Sequence, residues 1–582
     1  MNTPQITVLD AGGQYCHLIA RKIRDLGVYA DVKPSETPAS ELTGRKGIII
    51  SGGPDSVYEP GSPQIDPKIL ATASAVLGIC YGQQLMTHVL GGGVSKGEKG
   101  EYGFARFHTR PHALFANLNG ELQVWMNHRD QVQSVPEGFE VLGGTSTCAV
   151  AAMAHRTRPL MAVQFHPEVA HTEHGLDILA NFVFGVCGCI KDWDPKDRIG
   201  PIEKKIRAIA ADRNVFFFVS GGVDSTVAYT LCLRALGTER VFGIYVDTGL
   251  MRQGETAYVR RLFQELGATD FRVEEAEAEF LAALSGVVDP ETKRHIIGEQ
   301  FVVVQERILS TGHFLDGHWI LGQGTIYPDT IESGGTAKAD VIKTHHNRVA
   351  GIQKLIETGR IIEPLASFYK DEVREIGEEL GIPAEFLHRH PFPGPGLAIR
   401  CLCSESSAPV TRRDPGWLLP IRSVGVKGDS RSYHSVLALD KVPEDDVATE
   451  LVNAMPDINR VVGLVRGHAP IAEMQSSPAT LTHERLERLR QADAVVRRLS
   501  EESGFDRQVW QFPVVLIPIG VASALDSVVL RPIHSVDGMT AQVVRMPDLL
   551  MWRITDALLN VDGICGVFYD LTHKPPGTIE WE

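Results

Sequence analysis

Val215-Phe-Phe-Phe-Val-Ser-Gly-Gly-Val-Asp-Ser225 has the pattern of a strand, a tight loop and the start of a helix. Its five apolar residues, Val215 to Val219, suit a strand that is buried on both faces of a parallel sheet. Gly221 and Gly222 allow the backbone to approach a ligand closely, and successive N–H groups form an anion-binding concavity. The helical pattern after Ser225 directs the positive end of a helix toward the same loop. The segment therefore predicts an anion-binding loop within an α/β domain.

This loop has two interpretations. It is not a Walker A motif, because the Gly-Lys-Ser/Thr ending is missing. Ser-Gly-Gly-x-Asp-Ser resembles the pyrophosphate-binding loop of the ATP pyrophosphatases, which cleave ATP between its α- and β-phosphates. The alternative is a glycine-rich turn in which Asp224 or Ser225 only caps the helix. The resemblance implies ATP as a substrate, Mg²⁺ as the accompanying cofactor, and these ATP-binding residues: Ser220, Gly221, Gly222, Val223, Asp224, Ser225 and Thr226.

Length and composition limit the function classes. A chain of 582 residues suggests three or four domains of ~150 residues. A net charge of −15 argues against a broad nucleic-acid surface. No segment is apolar for long enough to span a bilayer, and the first residues lack a signal-peptide pattern. The nine cysteines suggest no disulfide framework. We therefore expect a cytoplasmic protein that binds neither nucleic acid nor membrane.

Two Cys-x-Cys pairs, Cys187/Cys189 and Cys401/Cys403, raise the question of a zinc site. Paired cysteines of structural zinc sites usually have two to four residues between them, whereas these have one. We therefore expect buried, reduced thiols at these positions.

The first 195 residues begin with the pattern of a parallel α/β domain. Strands at 6–10 and 47–51 flank a helical stretch at 15–26. Gly78-Ile-Cys80-Tyr-Gly82 then has the form of a nucleophile elbow, with cysteine where hydrolases carry serine. This turn would present the thiol at the N-terminus of a helix. The alternative for Cys80 is a buried core thiol.

A nucleophilic cysteine needs a base, and the base needs an orienting group. His166 and Glu168 are two residues apart, so in an extended segment they point to the same side. Pro167 favours the extended conformation at His166. His171 and His174 also lie nearby, but we predict no metal site from these histidines. The pattern indicates a cysteine, histidine and glutamate triad.

This part of the chain resembles the class I, triad-type glutamine amidotransferases. The resemblance implies that Cys80 attacks the side-chain amide of glutamine, that His166 transfers the proton and that Glu168 orients His166. Ser51-Gly-Gly-Pro54 resembles the oxyanion loop of that family. The family resemblance implies that the backbone N–H groups of Gly53 and Tyr81 stabilise the oxyanion. It also implies that Gln84 and Asp130 bind the glutamine substrate.

Later segments extend the resemblance to one family. Asp247-Thr-Gly-Leu-Met-Arg252, Ile342-Lys-Thr-His-His-Asn347 and Lys574-Pro-Pro-Gly-Thr-Ile-Glu-Trp-Glu582 look like segments of the glutamine-hydrolysing GMP synthases. This resemblance covers nearly the whole chain. It implies that MgATP adenylylates the C2 oxygen of xanthosine monophosphate and releases pyrophosphate. Ammonia from the first domain then displaces AMP and leaves GMP.

The same resemblance implies individual binding residues. Lys343 would lie on a lid loop over the adenylylated intermediate, with a solvated surface lysine as the alternative. Asp429 could equally be a turn residue in Lys-Gly-Asp-Ser. The complete set implied to bind xanthosine monophosphate is Arg294, Asp429, Gln511, Lys574 and Glu580.

An internal repeat occurs near the C-terminus, over about 416–468 and 512–582. A strand, strand, helix, strand order is predicted in both copies, and a charged amphipathic helix from His483 lies between them. Short members of the family carry one such unit and pair it between subunits. This chain resembles the long, eukaryote-type form with two units, so a monomer with an internal pseudo-dimer is predicted rather than a homodimer.

The predicted fold class is α/β with three regions. They are a class I glutamine amidotransferase domain at 1–195, an ATP-pyrophosphatase (adenine nucleotide α-hydrolase-like) domain at 196–395, and an α+β region at 396–582. The implied partners are glutamine, ATP and xanthosine monophosphate. Two other functions stay open at this point: a different glutamine-dependent adenylylating ligase, and an inactive nucleotide-binding scaffold.

Overall fold

The structure is a computed structural model. It describes residues 3–13, 15–118, 120–169, 171–332, 349–427, 430–444, 447–535 and 541–582. These residues divide into two compact units. The first comprises the described residues of 3–201 and 327–332, and the second those of 202–326 and 349–582.

Fifteen α-helices lie in the described ranges. They are α1 Cys16–Asp25, α2 Tyr81–Val89, α3 Gly175–Ala180, α4 Ile199–Ala210, α5 Val223–Leu236, α6 Glu255–Glu265, α7 Glu277–Ala283, α8 Pro290–Thr311, α9 Tyr327–Glu332, α10 Ala350–Glu357, α11 Lys370–Glu379, α12 Ala384–Leu387, α13 Ala448–Ala454, α14 His483–Ser503 and α15 Asp548–Leu559. A membrane-spanning helix is absent from the described parts of the chain, since none of these helices combines the necessary length with an apolar sequence.

The first unit is built on a nine-stranded sheet. Its strands are β1 Ile6–Asp10, β2 Ala30–Pro34, β3 Gly47–Ile50, β4 Ala75–Ile79, β5 Gly93–Thr109, β6 Glu121–Ser134, β7 Phe139–Gly144, β8 Ala152–His155 and β9 Leu160–Val163. The spatial order is β2-β1-β3-β4-β9-β8-β7-β5-β6. The neighbours β2, β1, β3, β4 and β9 pair parallel to one another, and the other neighbouring strands pair antiparallel. Strands β3 and β4 are buried throughout, as their continuous apolar sequences predict.

The second unit contains a five-stranded parallel sheet. Its strands are β10 Asn214–Val219, β11 Val241–Asp247, β12 Phe271–Glu275, β13 Trp319–Gly322 and β14 Ile361–Ile362. They lie in the order β12-β11-β10-β13-β14. Strand β10 therefore stands where the strand order reverses, and the loop that follows it opens at the edge where parallel sheets bind ligands.

A seven-stranded sheet lies in the same unit. Its strands are β15 Thr411–Arg413, β16 Gly416–Lys427, β17 Ser430–Leu439, β18 Ile458–Gly467, β20 Val514–Ile517, β22 Asp526–Leu530 and β25 Ile564–Asp570. Two small pairs accompany it, β19 Gln475–Ser476 with β21 Ile519–Gly520, and β23 Ile533–His534 with β24 Gln542–Val543.

The two copies of the repeat form one sheet together. In the first copy β16 pairs antiparallel with β17, and β17 pairs parallel with β18. In the second copy β20 pairs antiparallel with β22, and β22 pairs parallel with β25. Strands β18 and β25 then pair antiparallel with each other. The edge that one copy would leave uncovered is thus paired within the chain.

One hydrophobic core serves both sheets of the second unit. It contains Phe216 of β10 and Ile244 of β11 together with Leu486 and Leu489 of α14 and Leu558 of α15. The boundary predicted near residue 395 consequently falls inside one compact unit. Helix α14 is the charged helix expected between the repeats, and its apolar face contributes to this shared core.

Candidate active sites

Cys80 lies at the sharp turn between β4 and α2. Its φ of 54° and ψ of −108° are strained for a residue with a side chain. A Cβ added at Gly78 would lie 2.6 Å from the Gly82 carbonyl oxygen, and one added at Gly82 would lie 2.2 Å from the Ile50 carbonyl oxygen. Both flanking glycines are therefore needed for the elbow. The strained turn argues against an ordinary core thiol.

His166 and Glu168 are both buried and in direct contact. His166 Nδ1 lies 2.7 Å from Glu168 Oε1. Because a carboxylate only accepts hydrogen bonds, Nδ1 carries the proton and Nε2 of the neutral ring keeps its lone pair. No hydrogen-bond partner of Nε2 is found among the described residues. When the ring is neutral, Nε2 is therefore the atom that can accept a proton from a thiol.

The electrostatic environment of His166 has opposing contributions. Burial alone would lower its pKa, but the carboxylate of Glu168 and the negative charge of the Cys80 thiolate raise the pKa well above the usual histidine range. Glu168 therefore both orients the ring and stabilises its imidazolium form, as a triad acid does.

The thiol and the histidine border the same glycine. A Cβ added at Gly52 would lie 3.0 Å from His166 Cε1 and 3.6 Å from Cys80 Cβ. The Cys80 thiol itself points to the main-chain oxygen of Asn127, with Sγ 3.7 Å from it. Gly53 packs closely as well, since an added Cβ would meet the Ala11 oxygen at 2.4 Å. The predicted oxyanion loop therefore lies beside Cys80.

Gln84 and Asp130 lie together near this site. Gln84 Nε2 donates to the main-chain oxygen of Asp130 at 2.8 Å and to Gln164 Oε1 at 3.3 Å. Its amide group is thus already engaged in holding β6. The Asp130 side chain is buried, and no hydrogen bond to its Oδ2 is found among the described residues. Asp130 therefore has an acceptor available for a ligand.

The loop after β10 begins helix α5 three residues earlier than the sequence predicts, at Val223. Gly222 is the N-cap, and no side chain caps it. Ser220 Oγ lies 3.2 Å from Ser225 Oγ, and Ser225 Oγ donates to the Gly222 oxygen at 3.0 Å. A Cβ added at Gly324 would lie 2.7 Å from the Ser225 nitrogen. The loop is therefore folded by its own serines and packed against the segment that follows β13.

Asp224 does not cap the helix but forms an ion pair. Its Oδ2 lies 2.6 Å from Lys370 Nζ at the start of α11. Its Oδ1 is buried and has no hydrogen-bond partner among the described residues. The Thr226 hydroxyl is likewise buried and without a described partner. At the next strand, Asp247 accepts from the Gly249 nitrogen and from the Thr256 hydroxyl, so both its oxygens are occupied.

The segment 580–582 is tied into the second unit by cations. Arg400 holds the Glu580 carboxylate through two hydrogen bonds of 2.9 and 2.7 Å. Gln511 Nε2 lies 3.3 Å from the same carboxylate. Arg294 donates to the main-chain oxygen of Glu582. The structure therefore brings Gln511 and Glu580 together, with Arg294 directed to the same segment.

Three predicted residues remain, namely Lys574, Lys343 and Asp429. Lys574 exchanges main-chain hydrogen bonds with Ala541, at 2.8 and 3.0 Å. Lys343 and Asp429 lie outside the described residues.

Three family models match this chain. "Glutamine amidotransferase class-I" covers residues 7–186, "NAD synthase" covers 197–295 and "GMP synthase C terminal domain" covers 499–581. The chain is also 42% identical to "Probable GMP synthase [glutamine-hydrolyzing]" of Leptospira interrogans, over 99% of both proteins. It belongs to the family of glutamine-hydrolysing GMP synthases.

Two more relatives in this GMP synthase family are similar over comparable lengths. "GMP synthase [glutamine-hydrolyzing]" of Caldicellulosiruptor saccharolyticus is 40% identical, over 99% of both chains. The protein of the same name from Thermobifida fusca is 39% identical, over 99% of this chain and 98% of its own. The predicted fold class is confirmed, with an amidotransferase domain, an NAD synthase-like ATP-pyrophosphatase domain and a GMP synthase C-terminal domain.

Two residues at these GMP synthase sites were missed from the sequence. Lys370 contacts Asp224 across 146 residues, and Arg400 contacts Glu580 across 180. Neither lies in a motif whose chemistry can be recognised locally. Arg400 ends the proline-rich segment His390-Pro-Phe-Pro-Gly-Pro-Gly-Leu-Ala-Ile-Arg400, but the sequence around this arginine does not indicate its partner.

Proposed function

We propose that this chain converts xanthosine monophosphate to GMP with the amide nitrogen of glutamine, at the expense of ATP. The observation that carries the proposal is the buried Cys80–His166–Glu168 triad in the same chain as the Ser-Gly-Gly-Val-Asp-Ser loop of an NAD synthase-like domain. A site that releases ammonia and a site that adenylylates a carbonyl oxygen together fit the replacement of that oxygen by nitrogen at the carbonyl carbon.

In the first half-reaction, Cys80 attacks the side-chain carbonyl carbon of glutamine. His166 Nε2 takes the thiol proton and returns it to the leaving ammonia, while Glu168 holds the ring. The backbone N–H groups of Gly53 and Tyr81 stabilise the oxyanion. Water then hydrolyses the thioester and yields glutamate. Asp130, with a free acceptor at Oδ2, is our candidate for the α-ammonium group of glutamine.

In the second half-reaction, the C2 oxygen of xanthosine monophosphate attacks the α-phosphorus of ATP, and pyrophosphate leaves. The N–H groups of the Ser220 to Thr226 loop bind the pyrophosphate at the start of α5. Mg²⁺ would neutralise part of the phosphate charge when bound with ATP. The unpartnered Oδ1 of Asp224 is the hard oxygen ligand that suits it. Ammonia then attacks C2 and displaces AMP.

Xanthosine monophosphate itself would be held by Arg294, Gln511, Lys574 and Glu580, with Asp429 and the lid residue Lys343 proposed by family resemblance. A carboxylate has about four acceptor positions. Arg400 uses two on Glu580, and Gln511 approaches a third. One position is left for a hydroxyl or base N–H of the nucleotide.

Product analysis tests the proposal. The intact chain should form AMP, pyrophosphate, glutamate and GMP from glutamine, MgATP and xanthosine monophosphate, and should form no AMP with related nucleotides. Asp224→Ala should lose AMP formation with glutamine or with ammonium salt, whereas the exposed Asp212→Ala should keep it. AMP formation on a different acceptor would indicate another adenylylating ligase, and no AMP formation at all would indicate a scaffold.

We also infer that the repeat of strand, strand, helix and strand acts as an internal pseudo-dimer, so that the enzyme works as a monomer of the long, two-repeat form. Pairing of β18 with β25 supports this, because it covers the edge that a one-copy protein would pair with another subunit. Sedimentation at working concentration checks it. A stable dimer whose activity is lost on dilution would contradict it.

The nine cysteines, which are all free, support a reducing compartment, and we propose the cytoplasm.

A further inference from the structure

A second set of cysteine, histidine and glutamate lies in the first unit, apart from the triad. Glu101 lies on β5, His128 lies on β6, and Cys148 lies in the loop between β7 and β8. The β5–β6 register shifts between Lys96 and Glu101, and after that shift Glu101 is directly opposite His128. A β-bulge of this kind re-aims side chains.

These three side chains are close and shielded from solvent. Each residue offers one ligand atom, and these three atoms lie within 4.8 Å of one another. They are a carboxylate oxygen of Glu101, an imidazole nitrogen of His128 and the thiol sulfur of Cys148. The exposed fractions of the side chains are 2% for His128 and 11% for Glu101, and Cys148 is fully buried. In tetrahedral zinc sites the ligand atoms are roughly 3.3–3.7 Å apart, as the metal–ligand bond lengths require. Movements of about an ångström would reach that geometry.

The hydrogen bonding of His128 leaves a conflict that a cation would resolve. His128 Nδ1 lies 3.0 Å from the main-chain oxygen of Asp130, and a carbonyl only accepts, so Nδ1 is the donor. Nε2 of the neutral ring then carries a lone pair. It faces Glu101 Oε2 at 3.1 Å, which is another acceptor. Either a proton lies between the two atoms, on Nε2 or on the carboxyl group, or a cation lies between them.

The surroundings have the outer hydrogen bonds that support metal ligands. The carbonyl of Asp130 fixes the His128 ring, as acceptors behind zinc-binding histidines commonly do. Thr145 Oγ1 donates to Glu101 Oε1 at 2.7 Å, and the Thr147 hydroxyl donates to the same oxygen. Thr145 Oγ1 also accepts from the Cys148 nitrogen at 2.9 Å, which fixes the loop that carries the thiol.

We propose that Glu101, His128 and Cys148 bind one divalent transition-metal ion of the zinc class, with water in the fourth position. Mixed sulfur, nitrogen and oxygen ligands suit zinc or cobalt, whereas magnesium and calcium prefer oxygen alone. The ion would fasten the loop at 145–148 to the β5–β6 pair, beside the segment that carries Asn127 and Asp130. Burial and the nearby Glu101 carboxylate raise the pKa of the Cys148 thiol to about 12. Metal binding would therefore release the thiol proton.

Cobalt titration of the full chain tests this assignment. Every sample carries Cys80→Ala, so that the triad thiol cannot bind the metal. We expect one Co²⁺ per chain with a thiolate-to-metal charge-transfer band in the near ultraviolet, displaced by one equivalent of Zn²⁺. Adding Cys148→Ala should remove the band. Adding Cys565→Ala, a buried cysteine outside the cluster, should leave it unchanged.

Native mass spectrometry on the same samples gives a second measurement, and circular dichroism shows whether each variant is folded. His128→Gln should also lose the bound zinc ion, and it provides an independent test if Cys148→Ala fails to fold. The two Cys-x-Cys pairs are present in all samples, so a signal they produced would persist in every variant. A band that survives Cys148→Ala, or no stoichiometric binding by the parent chain, would overturn the assignment and leave an imidazolium ion pair between Glu101 and His128.

Discussion

Two sets of cysteine, histidine and glutamate share the first unit, and their connections are opposite. In the triad the Glu168 carboxylate faces His166 Nδ1, and Nε2 is left for the Cys80 thiol. In the second set a carbonyl faces Nδ1 of His128, and the Glu101 carboxylate faces Nε2. The same three residue types therefore offer a proton acceptor to the thiol in one place and not in the other.

The cysteines differ as much as the histidines. Cys80 is on a strained elbow at a helix N-terminus, where φ is 54°, and Cys148 is in a loop tied down by Thr145. Residue type alone is therefore insufficient to assign catalysis. Which ring nitrogen the acid contacts, and where the chain places the thiol, decide between a nucleophile and a metal ligand.

The largest contrast is expected from removing each thiol. Cys80→Ala should lower glutamine-dependent GMP formation by on the order of 10⁴-fold or more, because the nucleophile is gone. Formation from ammonium salt should stay nearly intact. Cys148→Ala in chelator-treated buffer should leave both rates nearly unchanged. Steady-state assays with the two nitrogen sources measure these rates. Equal losses of glutamine-dependent activity in the two variants would contradict the different roles assigned to Cys80 and Cys148.

Replacing each acid should give the next largest contrast. Glu168→Gln should lower the glutaminase rate by on the order of 10³–10⁴-fold, because the ring loses its tautomer and its charge partner. Glu101→Gln should change it by less than about 10-fold. The carboxylate of Glu168 raises the pKa of His166, so the limb of the pH–rate profile that reports His166 should move to lower pH in Glu168→Gln. An unmoved limb would argue against this role.

Asp130 connects the two sets, and changing it should have an intermediate effect. Asp130→Asn keeps the main-chain oxygen that contacts His128 and Gln84 but loses the charge proposed to bind glutamine. A charge-assisted hydrogen bond contributes about 1.5–3 kcal/mol, which predicts a KM for glutamine raised about 10- to 100-fold. The kcat and the ammonium-dependent rate should hardly change. A kcat loss with an unchanged KM would place Asp130 elsewhere in the mechanism.

The smallest effect should come from Thr145→Val. This change removes the hydroxyl that donates to Glu101 and accepts from the Cys148 nitrogen. The loss of one contact to a carboxylate and one between neutral groups predicts a decrease of about 1–3 kcal/mol in the free energy of unfolding. Thermal unfolding followed by circular dichroism checks it, with the exposed Thr43→Val as a control. Glutaminase activity should be nearly unaffected. An unchanged Tm would contradict the conclusion that Thr145 stabilises the loop that carries Cys148.

Much of the fold follows from local patterns in the sequence. The strands at 6–10, 47–50 and 214–219 are within a residue of their predicted bounds, because continuous apolar runs between turn residues are a local signal. The elbow at Cys80 and the loop at Ser220 to Ser225 were recognisable for the same reason. Their glycines and small residues are required by backbone geometry within a few positions.

By itself, therefore, the sequence determined the elements, the two chemical motifs and the repeat order. Only the tertiary structure decided that Lys370 pairs with Asp224, that Arg400 holds Glu580, and that Glu101 meets His128 and Cys148. Those contacts join residues on separate elements. They depend on strand register and packing, and a register shift of one residue turns every side chain of a strand to the other face. The periodicity of apolar residues along one strand does not predict its register with the neighbouring strand.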